Sequence, residues 1–162
     1  LTTYYTSWHN AFTVADGGTL AIVPGAKPSK SSSATGALTV NSGATLEVAE
    51  SGTVAIDCKL SLKDSAVLGF NYTTRDAPVL DLTGKTVSFD EGETTNIVVK
   101  ISAAEGKRPK SGANELTSGG KFAGVNVSLA SGSPKWVQGV SVNDDGNIVL
   151  DVKPAGTRVI IR

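Results

Sequence analysis

The chain has 162 residues, which suits one domain and allows a substantial buried core. Its 15 basic and 15 acidic side chains give a formal net charge of zero, which argues against a nucleic-acid-binding face or attachment to an anionic membrane surface. No apolar run approaches the roughly 20 residues of a transmembrane helix. The single cysteine, Cys58, excludes an internal disulfide and is predicted to be a structural thiol at a buried or corner position.

Residues 1–12 differ in composition from the rest, and we predict residues 1–15 to be an N-terminal cap or contact segment. The only histidine, His9, has no nearby histidine or cysteine with which to bind a metal or activate a nucleophile. A cap would cover the exposed backbone edge at the start of the β-solenoid that residues 36–70 predict. The alternatives are a subunit contact, where Tyr and Trp are enriched, and a platform on which sugars stack. The aromatic side chains of this segment are Tyr4, Tyr5, Trp8 and Phe12.

The next residues predict a turn, a strand and a loop. Gly17 and Gly18 indicate a turn, because glycine accepts a positive φ without steric cost. Residues 19–23 alternate as a strand does and end before Pro24, which cannot donate to a β-ladder. The polar residues 24–36 predict a solvated loop at one corner.

An eight-residue spacing of apolar side chains dominates residues 36–70 and predicts a β-solenoid. Small or polar links separate short segments in which inward and outward side chains alternate. Three such segments make a coil of about 24 residues, within the usual range for repeat architectures. Ile22 and Phe70 are therefore predicted to stack in one column with Leu46 between them. The first apolar series is Leu38, Leu46, Val54, Leu62 and Phe70, and the second is Val40, Val48 and Ile56.

Short strands are predicted to continue to the C-terminal end, and no stretch sustains the 3.6-residue period of a helix. Residues 143–147, NDDGN, predict a tight hairpin turn between two alternating segments. Val159, Ile160 and Ile161 predict a last strand that either pairs within the domain or adds to a neighbour's edge. We assign residues 16–152 to the solenoid domain and residues 153–162 to a C-terminal strand or tail.

Gly-rich links open several of the predicted strands. They read GGTLAIVPGA at 17–26, GALTVNSGATLEV at 36–48 and SGTVAI at 51–56. Together with the later segments 116–125 and 145–150, they resemble the autotransporter-associated β-strand repeat of bacteria. The resemblance implies a right-handed parallel β-helix and an extracellular or cell-surface location. It implies no catalytic residues, because the repeat has none.

Two acidic or amide-rich segments invite comparison with cation sites. Asn143, Asp145 and Asn147 alternate like the start of a calcium loop, but Pro154 stands where an EF-hand carries its twelfth-position glutamate. We therefore predict a plain hairpin turn there. The corner at residues 90–93, which holds Asp90, Glu91 and Glu93, is predicted to be a solvated turn.

Carboxylate catalysis is the alternative class of function. Parallel β-helices include polysaccharide lyases and glycoside hydrolases, and the latter use pairs of carboxylates. No spacing among the available carboxylates repeats on matched strands, so the sequence predicts no catalytic, cofactor-binding or metal-binding residue. The residues available are Asp57, Asp64, Asp76 and Asp81, with Arg75 nearby.

These patterns predict an all-β chain that forms a right-handed parallel β-helix with a hairpin-rich C-terminal cap. The predicted function is that of a non-enzymatic extracellular structural or adhesive protein, either a solenoid stalk or a self-associating subunit of a surface filament. The alternative is a glycan-binding or polysaccharide-degrading β-helix. The predicted partners are other copies, through the coil ends, and host or environmental glycans. The predicted contact residues are Tyr4, Tyr5, Trp8, Phe12, Val159, Ile160 and Ile161.

Overall fold

Short β-strands and the corners between them make up the part of the chain that the computed structural model describes, residues 7–8, 11–26, 29–30, 37–90 and 95–156. These ranges contain no helix, as predicted, and so none able to cross a bilayer. The strands are β1 (Ser7–Trp8), β2 (Phe12–Val14), β3 (Thr19–Ile22), β4 (Ser29–Lys30), β5 (Ala37–Val40), β6 (Thr45–Val48), β7 (Gly52–Ala55), β8 (Lys59–Leu62), β9 (Val67–Tyr72), β10 (Pro78–Asp81), β11 (Val87–Phe89), β12 (Asn96–Ala103), β13 (Gly112–Glu115), β14 (Thr117–Ser118), β15 (Asn126–Leu129), β16 (Val137–Val142) and β17 (Ile148–Val152).

Parallel pairing gathers most of these strands into three sheets around one core. The first sheet has the order β2-β5-β8-β11, the second β3-β6-β9-β12-β15 and the third β7-β10-β14. Successive strands of the chain lie on different sheets, so the chain returns to each sheet once per coil. The result is a β-solenoid of about four coils, which confirms the predicted fold class.

The eight-residue spacing carries the chain around the coil from one sheet to the next. Leu38 lies on the first sheet, Leu46 on the second and Val54 on the third, and all three side chains are buried. Each points inward because alternate side chains of a strand face the same side. Burial of such a side chain contributes about 1.5–3 kcal/mol, so these positions supply much of the stability of each coil.

Columns of apolar side chains run across the coils, but one predicted column is wrong. Ile22 pairs with Val48, and Val48 pairs with Phe70. Val48, and not Leu46, therefore lies between Ile22 and Phe70, while Leu46 pairs with Leu20 in the neighbouring column. The step from Ile22 to Val48 is longer than the step from Val48 to Phe70, so no constant period of 24 residues exists.

An antiparallel sheet covers the C-terminal end of the solenoid, as the predicted hairpin-rich cap requires. Strand β17 pairs with β13 on one side and with β16 on the other. Its inward residues Ile148 and Leu150 are fully buried. Beneath the cap, the buried ring of Phe122 packs edge-on against Phe89, with ring centroids 5.8 Å apart. The last coil therefore does not expose its core at this end.

The parallel pairing at the other end begins with residues assigned above to the N-terminal segment. Strand β2, Phe12–Val14, pairs with β5 in the first sheet. Ser7–Trp8 pairs with Ser29–Lys30, so part of the predicted polar loop at 24–36 forms a short strand. The side chain of Cys58 is buried, as predicted.

Candidate functional site

The predicted contact residues fall in different parts of the structure. Trp8 lies on β1, where its backbone pairs with Lys30. Phe12 is half-buried on β2 and packs against the edge of the core. The other predicted contact residues, Tyr4, Tyr5, Val159, Ile160 and Ile161, lie outside the described residues, as does His9.

The N-terminal end of the solenoid presents two edge strands, β2 and β3. The carbonyl oxygen of Val14 accepts a hydrogen bond from Asn41 on the β5 side, and that of Ile22 accepts one from Ala49 on the β6 side. In a β-strand, the N–H and C=O groups of one residue point to the same side, and those of the next residue point to the opposite side. The N–H and C=O groups of Thr13 and Ala21 therefore point away from β5 and β6. Within the described ranges, no strand pairs with this outer edge. We call β2 and β3 the N-terminal edge.

A shallow depression of about 180 Å³ adjoins the N-terminal edge. Phe12, Val14 and Leu20 give it an apolar lining. Phe12, one of the predicted contact residues, therefore lies beside the N-terminal edge.

Aspartates at the corner between the first two sheets hold neighbouring coils together. The carboxylate of Asp90 accepts hydrogen bonds from Lys63 Nζ at 2.7 Å and from the backbone N–H of Asp64 at 2.8 Å. The carboxylate of Asp64 in turn accepts one from the backbone N–H of Asn96 at 2.9 Å. This arrangement gives the corner a structural role, because each carboxylate satisfies a backbone donor of another coil.

The same contacts set the acidity of these carboxyls. The pKa of Asp64 is lowered, mainly because the hydrogen bond from the Asn96 backbone favours the charged form of the carboxyl. The hydrogen bond from Lys63 is the main cause for the lowered pKa of Asp90. Both groups are therefore carboxylates near neutral pH.

Two of the remaining carboxylates considered for catalysis, Asp57 and Asp81, lie at the ends of the neighbouring strands β7 and β10, where the chain passes from the third sheet to the first. Asp57 forms an ion pair with Lys85. Asp81 accepts hydrogen bonds from the Thr83 backbone at 3.0 Å and from Ser118 Oγ at 2.7 Å. The pKa of Asp81 is lowered, mainly by its hydrogen bonds from Thr83. Asp76 is exposed in the corner after β9. The structure thus brings Asp64 close to Asp90, a pairing that the sequence analysis did not single out.

The amide-rich segment at 143–147 is the tight hairpin turn that the sequence predicted. The backbone N–H of Asn147 donates to Asn143 Oδ1 at 2.8 Å, and Asn147 Oδ1 accepts from the Gly120 backbone at 2.8 Å. Both amide oxygens therefore serve the turn and its contact with the preceding loop. Over the described part of the chain, no group of three or more His, Cys, Asp or Glu side chains could hold a metal ion.

A cluster of basic side chains, which the sequence analysis did not single out, lines an open cleft of about 270 Å³. Arg75, Arg108 and Lys110 line it together with Pro109 and Ala155. We call this the basic cleft. Only the charged sequence of residues 105–114 signals it, and nothing in the sequence places Arg75 beside that loop.

No protein-family model, curated protein or solved structure matches this chain significantly. The resemblance to the autotransporter-associated repeat therefore stays a prediction.

Proposed function

We propose that this protein is a non-enzymatic extracellular structural or adhesive β-solenoid, a stalk or a self-associating subunit of a surface filament, that associates through its N-terminal edge. The observation that carries this proposal is the difference between the two ends. At the C-terminal end, strands β16 and β17 of the antiparallel cap contact the edge strands β15 and β14, whereas no described strand pairs with the outer edge of β2 or β3.

An open edge of a parallel sheet favours addition of another strand. Thr13 and Ala21 direct backbone donors and acceptors outward, and such edges readily pair with another chain. The apolar depression beside Phe12 adds surface that a second copy can bury. The occupant proposed here is therefore a second copy of the chain.

A filament requires a second contact surface in addition to the N-terminal edge, because contacts that repeat head to tail without closing form open assemblies. The predicted strand at Val159, Ile160 and Ile161 is the segment proposed for it. If only the N-terminal edges meet, the expected assembly is a closed dimer.

An extracellular or bacterial surface location is supported by composition and by the resemblance stated above. Charged residues make up only 19% of the chain, and glycine and small polar residues fill the corners. Such chains suit secreted β-proteins, in which small polar side chains stack in turns.

Sedimentation velocity across a concentration series tests the proposed self-association. Thr13→Pro removes one outward N–H from an edge strand, where proline is tolerated. We expect self-association of the wild-type protein and a loss of about tenfold in association constant for Thr13→Pro, since a lost hydrogen bond and the ring's steric clash cost about 1.5 kcal/mol.

Thr13→Val is the matched control, because it keeps the backbone donor and nearly the same side-chain shape. It is expected to associate like the wild-type protein, and circular dichroism should show the same β-structure in all three proteins. A strictly monomeric wild-type protein at high concentration would contradict the proposal, as would equal association of wild type and Thr13→Pro.

A glycan-binding role is the second candidate, and one observation favours it. The basic cleft gathers cationic side chains on a chain that has no net charge.

A further inference from the structure

The basic cleft forms where three segments of the chain meet at one corner of the solenoid. Strands β9 and β12 are parallel neighbours, so the chain leaves both at the same end. The backbone N–H of Ala104 donates to the Tyr72 carbonyl at 2.9 Å and holds the two departing segments together. Arg75 follows β9, and Arg108 and Lys110 follow β12. The segment after β17 completes the wall with Ala155.

Positive charge is concentrated in these three segments. Residues 73–77, 104–111 and 153–156 together hold five basic and two acidic side chains, in a chain whose formal charge is zero. The two acidic residues, Asp76 and Glu105, do not line the cleft. The basic residues of the three segments are Arg75, Lys107, Arg108, Lys110 and Lys153.

Among the described residues, no carboxylate forms an ion pair with a cation of the cleft. The ion pairs found among the described residues join Lys63 to Asp90 and Lys85 to Asp57, and neither involves the cleft. Arg75 and Lys110 are exposed. Arg108 is half-buried, and its guanidinium donates to the carbonyl of Lys153, which fixes its position. One arginine is thus held in place while two further cations face the same space.

We propose that the basic cleft binds the sulfate or carboxylate groups of an acidic polysaccharide. An arginine guanidinium presents paired donors that match the oxygen atoms of either group. A bound anion would also relieve the repulsion among the three converging cations. Ala155, which is exposed, adds apolar surface against which the C–H groups of a sugar ring can pack.

The size and charge of the surface favour this ligand over other polyanions. The volume of the cleft, about 270 Å³, is slightly smaller than that of pockets that enclose a drug-sized ligand, which is roughly 300–1,000 Å³. The cleft therefore suits one charged sugar unit of a longer chain. Duplex nucleic acid demands an extended basic face on a basic domain, and this chain has no net charge.

Affinity chromatography of the full chain tests the proposal with three probes: dextran sulfate, polygalacturonate and uncharged dextran. We expect retention on one or both acidic polymers at low salt, release as salt rises, and no retention on uncharged dextran. Stronger retention on dextran sulfate would identify sulfate esters as the preferred group, and stronger retention on polygalacturonate would identify carboxylates. No retention on either acidic polymer would overturn the proposal.

A double substitution, Arg75→Gln with Lys110→Gln, removes the two exposed cations and leaves Arg108 in place. We expect binding to weaken by at least about tenfold, since each lost charge-assisted hydrogen bond costs about tenfold in affinity. Arg75→Lys with Lys110→Arg keeps both charges and should retain most of the binding. The matched control, Lys59→Gln with Lys121→Gln, removes the same net charge outside the cleft and should bind like the wild-type protein.

Equal weakening by the cleft variant and the matched control would overturn the proposal, because binding would then follow net charge alone. Equal or tighter binding to polyglutamate or duplex DNA would also overturn it, because the site would not select an acidic sugar polymer. Binding does not depend on self-association, so Thr13→Pro is expected to bind the polymer as the wild-type protein does. The two proposals can therefore fail separately.

Discussion

Tyr72, at the end of β9, offers a sharp test of how the core is built. Its side chain is 0% exposed, and its hydroxyl is buried without a hydrogen-bond partner. The ring packs edge-on against Trp136, with centroids 5.6 Å apart and planes at 84°. Tyr72→Phe removes the hydroxyl and keeps the ring contact. We therefore expect the substitution to raise the free energy of unfolding.

The expected gain follows from two opposing terms. A buried polar group without a partner costs about 1–3 kcal/mol, which the substitution recovers. The vacated oxygen leaves a cavity on the order of 10 Å³, which costs only about 0.2 kcal/mol at about 24 cal/mol per Å³. The free energy of unfolding should therefore increase by about 1–3 kcal/mol.

Urea denaturation followed by tryptophan fluorescence and circular dichroism measures this change. The midpoint should rise with an unchanged m-value. The control Tyr72→Leu loses the ring contact with Trp136 and should be destabilised by about 2–4 kcal/mol. A clear loss of stability in Tyr72→Phe would refute the reasoning, because it would mean that the hydroxyl makes a favourable hydrogen bond in solution.

The pH dependence of stability provides a second readout for the same residue. Burial raises the pKa of Tyr72 above its ordinary value of 10.0, because the phenolate is poorly solvated in the core. The folded state therefore holds the proton more tightly than the unfolded state. Its contribution to stability is present below pH 10 and is lost as pH rises further. Tyr72→Phe should show a smaller loss of stability above pH 10.

Two further predictions concern the corners. Gly119 has φ +99°, and a Cβ there would lie 2.7 Å from backbone atoms of Leu82 and Thr83, so Gly119→Ala should destabilise by roughly 3–5 kcal/mol in urea titrations. The control is Gly132→Ala, where φ is +81° but the space around a Cβ is open, so the substitution should cost only about 1–2 kcal/mol. Equal losses of stability in the two variants would contradict the predicted clash at Gly119. Hydrogen bonds from Thr83 and Ser118 lower the pKa of Asp81, so stability present above pH 3.8 should be lost as pH falls below it. Asp81→Asn should flatten this acid limb in thermal melts, and an unchanged limb would contradict the assignment.

The apolar spacing predicted the coil but not which residues stack. Leu46, Val54 and Leu62 each follow a short corner of similar length, so the local pattern alone indicates three inward strands per coil. Stacking between coils depends on the total length of all corners in a coil. Those lengths vary, and Ile22 therefore stacks on Val48 and not on Leu46.

The hairpin at 143–147 was predictable because its determinants are local. Asn143 and Asn147 are four residues apart and bond to each other's backbone within the turn. The basic cleft was not predictable in this way. Arg75 and Arg108 are far apart in the chain and meet only because β9 and β12 are neighbours in one sheet.

The amino-acid sequence by itself determined that this chain forms short inward-facing strands joined by polar corners, because alternation and turn chemistry act over only a few residues. The tertiary structure decided which coils stack in which register, which end is covered, and which charged loops share a corner. These outcomes depend on how irregular corners and the antiparallel cap fit around one common core, and no short segment of sequence contains that information.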